Sequence, residues 1–374
     1  YLVIKILEIF ILKDLHISFT TTAVVILILI LLYTFKGGVK TIVWTDTLQT
    51  TFMLISLIVG IWYLLGDLDL AIPHAWQSMK AQNLTHIFTW DGLSSHNFFK
   101  EIIGGAFITV AMTGLDQEMM QKNISVSNLK DSRKNMLLMG TLQMFVVFAF
   151  LFLGGLLFIY AQQNGITATA DDLYPTIAIQ SGWPFLLTII FIIGLISALF
   201  PSSDGALTAM TSSFCLDILH FKKKNWSKKK KLRTRLLVHA SFALLFLAFI
   251  FFYRFIDNDS LISILLKLAG YTYGPLLGLF SFGILTKRKI NGKKPLTLSL
   301  LSMLLTLILD LLNHPNWYIQ QFDLSPQMSH WAHLTSENIF QGYKIGYELL
   351  VINALITFIL LFIFSKKKNT DVLS

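Results

Sequence analysis

The chain has 374 residues, of which 54% are hydrophobic and only 14% charged. An ordinary soluble domain is about a quarter charged, and a soluble protein of this length could not bury so much apolar surface in its core. The composition therefore excludes an ordinary soluble enzyme or binding domain and favours a membrane protein. A single cysteine, Cys215, excludes an internal disulfide.

Apolar stretches recur along the whole chain, and each span of a bilayer takes about 20 residues. In chain order they cover 1–12, 19–35, 43–66, 98–118, 136–162, 184–218, 236–255, 260–286, 295–312 and 346–364, the first of them short. We therefore predict an all-α integral membrane protein with about ten transmembrane helices. We predict a single transmembrane domain over residues 1–374.

The net charge of +9 is distributed unevenly over the loops. If the loops alternate sides, one set carries most of the cations, with runs at 222–235, 287–294 and 366–368. Loops rich in Lys and Arg face the cytoplasm. This pattern predicts a cytoplasmic C-terminal tail at 365–374, and it explains the basic charge without a nucleic-acid partner.

Four ionisable residues in the predicted spans indicate function, because a charge placed in hydrocarbon costs about 2.5–3.5 kcal/mol. They are Asp46, Asp116, Asp204 and Lys267. Asp46 and Asp116 lie near predicted cytoplasmic helix ends, where solvation, or helix capping for Asp46, is an alternative explanation. The depth of Asp204 is open, because its predicted helix is longer than a bilayer is thick.

The stretch 198–204 is the best candidate for a cation site. Pro201 has no N–H, so the carbonyl of Ser197 loses its usual helical partner. Freed carbonyls beside the hydroxyls of Ser202 and Ser203 could coordinate a bare cation such as sodium. The alternative is that these hydroxyls bond back to their own helix.

Four segments, in this order, resemble signature motifs of the sodium:solute symporter family. They are YTFKGGVKTIVWTDTLQ at 33–49, TGLDQEMMQK at 113–122, FPSSDGAL at 200–207 with TSSFCLD at 211–217, and YTYGPLLGLF at 271–280. The resemblance implies the leucine-transporter-type inverted-repeat fold with alternating access. By this mapping the chain begins at about the third core helix. The first two core helices are expected to be missing, and in the family the first of them supplies half of both the sodium and the substrate sites.

The same resemblance implies a sodium site made by the carbonyls of Ala198 and Pro201 and the hydroxyl of Ser202. Many family members carry a hydroxyl residue where this chain has Pro201, so Ser203 or a backbone oxygen is expected to compensate. Asp46 matches an aspartate on the cytoplasmic exit path of sodium, and we place Asp204 on this path as well.

For the substrate, the resemblance implies that Thr109, Met112 and Thr113 line the cavity. Sugar symporters have a glutamine where this chain has Leu266, next to Lys267. Three interpretations of Lys267 stay open: it meets a substrate carboxylate, pairs with an internal aspartate, or extends outward to the interface. A sugar acid or another carboxylate is then as eligible a solute as a sugar or an amino acid.

The function implied is secondary active transport in the plasma membrane, with Na⁺ as coupling ion and symport of a small organic solute into the cell. We find no phosphate-binding loop and no activated nucleophile, which argues against ATP-driven transport and against an enzyme. Two alternatives are a proton-coupled transporter and a transporter-like solute sensor. The expected partners are the solute, sodium and the lipid bilayer, and the oligomeric state is open.

Overall fold

A computed structural model describes residues 1–34, 39–168, 171–254, 261–322 and 336–367. Within these ranges the side chains at 14, 39–43, 200–202, 261–264, 320–322 and 367 are outside the description. Contacts between Cα atoms divide the chain into two compact units. Unit 1 is Tyr1–Thr85 with Gln117–Asp257, and unit 2 is His86–Asp116 with Asn258–Ser374.

Helices make up nearly all of the described structure. They are α1 (Leu2–Ile6, continued by a π-helical segment Leu7–Leu12 and a 3-10 turn Lys13–Leu15), α2 (Phe19–Thr34), α3 (Val39–Asp67), α4 (Ile72–Ala81), α5 (Phe98–Gly114), α6 (Gln117–Ile124), α7 (Leu129–Gln163), α8 (Leu173–Pro175, continued by a π-helical segment Thr176–Gln180), α9 (Phe185–Ser213, continued by a π-helical segment Phe214–Ile218), α10 (Lys228–Arg254), α11 (Leu261–Leu285), α12 (Lys294–Asn313), α13 (Pro315–Phe322) and α14 (Leu349–Phe364). Residues 336–340 are also helical. Strands β1 (Arg288–Lys289) and β2 (Lys366–Lys367) pair antiparallel in unit 2.

Six of the described helices are long and apolar enough to cross a membrane. They are Trp44–Asp67, Leu129–Gln163, Phe185–Ile218, Lys228–Arg254, Leu265–Leu285 and Lys294–Asn313. A seventh span results if α5 and α6 are counted together, while α2 and α14 are apolar but shorter. The all-helical, multi-pass prediction is therefore confirmed. The total of about ten spans stays a prediction, as do the single domain and the missing first helices.

Unit 1 is built around α3, which packs along α9 and against α7. Its core is apolar, with Leu57 and Leu64 of α3 buried against Leu153 and Leu156 of α7 and Phe191 of α9. Burial of such side chains away from water is the main source of cohesion in a core of this kind. This packing holds α3 and α9 side by side; α9 carries the predicted sodium site, and α3 carries Asp46 of the predicted exit path.

Unit 2 is centred on α11 and α14, which pack along each other with α12 and α5 alongside. Gly274 makes this approach close, because a Cβ atom there would collide with the Asn353 side chain. Pro275 lies inside α11 and has no N–H, so the carbonyl of Tyr271 loses its helical partner. Asn353 supplies the missing donor: its Nδ2 lies 3.0 Å from the carbonyl oxygen of Tyr271 and 3.1 Å from the carbonyl oxygen of Gly270.

Candidate functional site

The predicted sodium-binding stretch lies inside α9, in the second half of a continuous helix. Ala198 is exposed, and Ser203 is half-buried. The hydroxyl of Ser203 donates to the carbonyl of Leu199 at 3.2 Å, so in this structure it bonds back to its own helix. The side chains of Pro201 and Ser202 fall outside the described residues. Sodium coordination by this stretch therefore stays a prediction.

Asp204 follows this stretch and is completely buried, with 0% of its surface exposed. Its Oδ2 accepts a hydrogen bond from the hydroxyl of Tyr33, at the end of α2, at 2.6 Å. Its other oxygen, Oδ1, has no hydrogen-bond partner among the described residues. Buried polar atoms have a hydrogen-bond partner in most folded proteins, so an unpaired carboxylate oxygen inside α9 marks a candidate functional position.

Asp46 on α3 belongs to a charged cluster with two residues of α6. The ammonium of Lys122 lies 2.8 Å from Asp46 Oδ2 and 2.7 Å from Glu118 Oε1. The Glu118 carboxylate in turn lies against Gly205, where a Cβ atom would collide with it. Glu118 thus lies next to Gly205, the chain neighbour of Asp204. Sequence reasoning missed Glu118, although it lies in the 113–122 motif.

Four buried oxygen atoms in this part of unit 1 have no hydrogen-bond partner in the part of the chain that the structure describes. They are Asp46 Oδ1, Gln49 Oε1, Asp204 Oδ1 and Thr208 Oγ1. The first two come from α3 and the others from α9, the helices that pack along each other. Among the described residues no three His, Cys, Asp or Glu side chains could hold a metal ion together. Any cation here would therefore rely on a mixture of carboxylate, amide, hydroxyl and carbonyl oxygens.

Lys267, on α11 in unit 2, is paired inside the protein. Its Nζ lies 2.9 Å from Asp310 Oδ2, 3.7 Å from the ring centroid of Trp317 and 4.5 Å from that of Tyr318. An ammonium over an aromatic face is attracted by the ring quadrupole. Of the three interpretations left open by the sequence, pairing with an internal aspartate is the one that this structure shows.

Asp310 accepts hydrogen bonds from several donors besides Lys267. Its Oδ1 lies 2.9 Å from Nδ1 of His314, and its Oδ2 accepts from the hydroxyls of Tyr271 and Tyr318. Burial, together with the negative charge of Asp310, raises the pKa of Tyr318 on α13, outside the spans. Sequence reasoning missed Asp310, although it lies in the predicted span 295–312. An acidic residue in an apolar helix, followed four residues later by histidine, was the available signal.

A cavity of about 310 Å³ borders this pair and lies wholly within unit 2. Lys267, Asp310, His314 and Trp317 line one side of it, and Ser95 and His96 also contribute. Ile108, Leu266 and Leu349 contribute apolar side chains to the wall. The cavity thus combines an ion pair, further polar groups and an apolar surface, as small-molecule sites usually do.

The predicted substrate residues on α5 lie in the same unit. Thr109 is exposed and donates its hydroxyl to the carbonyl of Gly105 at 2.9 Å. Met112 packs on the core cluster that contains Ile108, and Thr113 is half-buried. Thr109, Met112, Thr113 and Lys267 therefore belong to unit 2, and the residues of the predicted sodium site and exit path belong to unit 1.

The sequence is similar to those of known sodium-coupled transporters. The family model described as Sodium:solute symporter family matches residues 8–293. The sodium/sialic acid symporter NanT of Aliivibrio fischeri is 26% identical over 276 residues, which cover 70% of this chain and 53% of that protein. The sodium-coupled monocarboxylate transporter 2 of Danio rerio is 24% identical over 269 residues, 68% of this chain and 41% of that protein. The chain thus spans about half the length of these relatives.

The fold also matches a solved structure. A Na⁺-coupled sialic acid symporter in a substrate-bound, outward-open state aligns with a TM-score of 0.74 and 19% sequence identity. The alignment covers 98% of this chain and 71% of that one. At this level of identity the likeness establishes the fold, and the family model, which matches most of the chain, establishes the relationship. The chain belongs to the sodium:solute symporter family.

Proposed function

We propose that the protein containing this chain is a secondary active transporter that uses the sodium gradient to carry a small organic solute into the cell by alternating access. Family membership carries this proposal, and the relatives are named as sodium-coupled transporters rather than enzymes. The helices suit the leucine-transporter-type fold in the plasma membrane. The cation-rich loops favour a cytoplasmic C-terminus.

Sodium is proposed to bind at α9, through the carbonyls of Ala198 and Pro201 and the hydroxyl of Ser202, with Ser203 turning from Leu199 toward the ion. The Ser203 hydroxyl now donates its hydrogen to the Leu199 carbonyl, and the lone pairs of its oxygen are what would coordinate the ion.

Release toward the cytoplasm is proposed to pass the cluster of Asp204 and Asp46. The unpartnered oxygens Asp204 Oδ1 and Asp46 Oδ1 can accept a dehydrated cation that leaves the α9 stretch. Lys122 already neutralises one oxygen of Asp46, which keeps a passing sodium ion from being held too tightly. The cluster would therefore act as a shallow intermediate stop rather than as a tight site.

The solute is proposed to contact Thr109, Met112 and Thr113, with Lys267 in the same unit. Sodium bound first would favour the outward-open state, and solute binding would then favour closure. Each ligand shifts the equilibrium between the states only by its differential affinity for them. A sugar, a sugar acid, another carboxylate and an amino acid all fit the small organic class.

The test is uptake by the full-length protein in proteoliposomes, with radiolabelled sugars, sugar acids, monocarboxylates and amino acids, each with and without an inward sodium gradient. Uptake should require sodium in the wild type and fail in Ser202→Ala. The control is Ser241→Ala, because that exposed serine on α10 only donates to the Leu237 carbonyl. Uptake that is indifferent to sodium, or unchanged by Ser202→Ala, would contradict the proposed ion site.

A further inference from the structure

Lys267 contributes its ammonium group to the wall of the cavity in unit 2. Among the described residues that line the cavity, it is the one Lys or Arg. Its side chain is 21% exposed, whereas that of its partner Asp310 is 3% exposed. Both side chains line the cavity, and the lysine is the more exposed of the two, so a molecule in the cavity reaches the ammonium more readily than the carboxylate.

Asp310 does not depend on Lys267 for its hydrogen bonds. The hydroxyls of Tyr271 and Tyr318 and the imidazole of His314 all bond to it as well. If the ammonium moved away, the buried carboxylate would keep three partners. Charge-assisted hydrogen bonds of this kind are strong enough to hold a buried carboxylate ionised. The usual obstacle to breaking a buried ion pair, a stranded and unpaired charge, is therefore small here.

The ammonium of Lys267 has capacity for a second anion. A lysine ammonium has three N–H donors and no acceptor, and one donor suffices for Asp310. The ring faces of Trp317 and Tyr318 hold the positive charge without taking up a specific hydrogen bond. A carboxylate that enters the cavity can therefore accept the hydrogen bond that the Lys267 ammonium now donates to Asp310. The ammonium keeps its contacts with the aromatic rings during this exchange.

The remaining cavity wall suits the rest of a small organic acid. Ser95, His96 and His314 offer polar groups, and Ile108, Leu266 and Leu349 offer an apolar surface. Its volume of about 310 Å³ is at the small end of typical ligand pockets, which begin at about 300 Å³. We propose that this cavity selects solutes that carry a carboxylate, with Lys267 exchanging Asp310 for the carboxylate of the solute. This inference rests on the proposed function, since it names the class of solute.

The experiment measures binding to the full-length protein in detergent at saturating sodium. The probes are lactate with lactamide, and sialic acid with its methyl ester, so that each pair differs in the charge of one group. Tryptophan fluorescence and the melting temperature are recorded, and Trp317→Phe identifies the part of the signal that comes from the ring beside Lys267. At least one carboxylate should bind about 10- to 100-fold more tightly than its uncharged analogue, as a lost charged hydrogen bond implies.

Two variants separate selection of the ligand from a purely structural ion pair. Lys267→Gln should remove the preference for the carboxylate, so that each carboxylate and its uncharged analogue bind with similar affinity. Asp310→Asn should tighten carboxylate binding about tenfold, since the competing charge is gone while the amide oxygen can take the place of Oδ2 and accept from Tyr271 and Tyr318. If the ion pair were merely structural, both variants would weaken the binding of carboxylates and of uncharged analogues to the same extent.

Lys100→Gln is the matched control. Lys100 is another partly buried lysine of unit 2, 3.5 Å from the ring centroid of Tyr343, and it does not line the cavity. Lys100→Gln should leave the preference for the carboxylate over its uncharged analogue intact. The inference is wrong if wild-type protein binds each carboxylate and its analogue equally, or if Asp310→Asn weakens the binding of carboxylates. A rise in melting temperature on addition of sodium would in that case still support the proposed symport. If neither sodium nor any solute shifts the melting temperature, the proposed function itself fails.

Discussion

Replacing Asn353 by leucine should destabilise unit 2 in a way that the structure makes quantitative. Asn353 is completely buried, and its amide donates to the carbonyls of Gly270 and Tyr271. Its Oδ1 accepts a hydrogen bond from the hydroxyl of Ser302 at 2.7 Å. Leucine has the same number and branching of side-chain heavy atoms, so Asn353→Leu removes the polar contacts and keeps the branched outline of the side chain.

The magnitude follows from these contacts. Hydrogen bonds between membrane helices contribute about 0.6 kcal/mol each on average. The Tyr271 carbonyl is a further cost, because Pro275 cannot donate to it and it would stay buried without a partner. An unsatisfied buried group costs about 1–3 kcal/mol. We therefore expect Asn353→Leu to lower the free energy of unfolding by about 3–5 kcal/mol.

The assay is reversible unfolding of the purified protein in mixed micelles by added SDS, followed by circular dichroism. Ser302→Ala is the matched comparison, because it removes hydrogen bonds from the same cluster and leaves both α11 carbonyls bonded to Asn353. Ser302→Ala should lower the free energy of unfolding by less than about 2 kcal/mol. A loss below about 0.5 kcal/mol for Asn353→Leu, or an equal loss in both variants, would refute the role of the proline-freed carbonyl.

Two further predictions concern other contacts. Gly104→Ala should destabilise the protein by about 1–3 kcal/mol, because a Cβ atom would collide with the backbone of Tyr347. Gly105→Ala, with open space around it, should be neutral or stabilising. Thermal melts compare the two variants, and equal melting temperatures would contradict the close approach at Gly104. Lys122→Gln leaves the carboxylate of Asp46 without its ammonium partner, so added sodium should raise the melting temperature of this variant more than that of the wild type. N-methylglucamine is the control cation, and an equal response to both cations would count against an ion route at this cluster.

The membrane class and the helical character followed from composition and apolar periodicity, since a span must satisfy its own backbone hydrogen bonds. The intramembrane charges Asp46, Asp204 and Lys267 were also identifiable, because each stands out against an apolar background. Orientation was predicted from the loop cations, and the roles of Ala198, Pro201 and the substrate residues remain predictions.

What the sequence alone determined is the list of residues that need a partner. Which partner each one has was decided by tertiary packing: Tyr33 donates to Asp204, 171 positions along the chain, and Lys267 pairs with Asp310 rather than with a group on its own helix. Local periodicity shows which face of a helix is apolar, but it carries no information on which two faces meet or at what height. A buried charge makes a partner necessary, and only the assembled helices supply it.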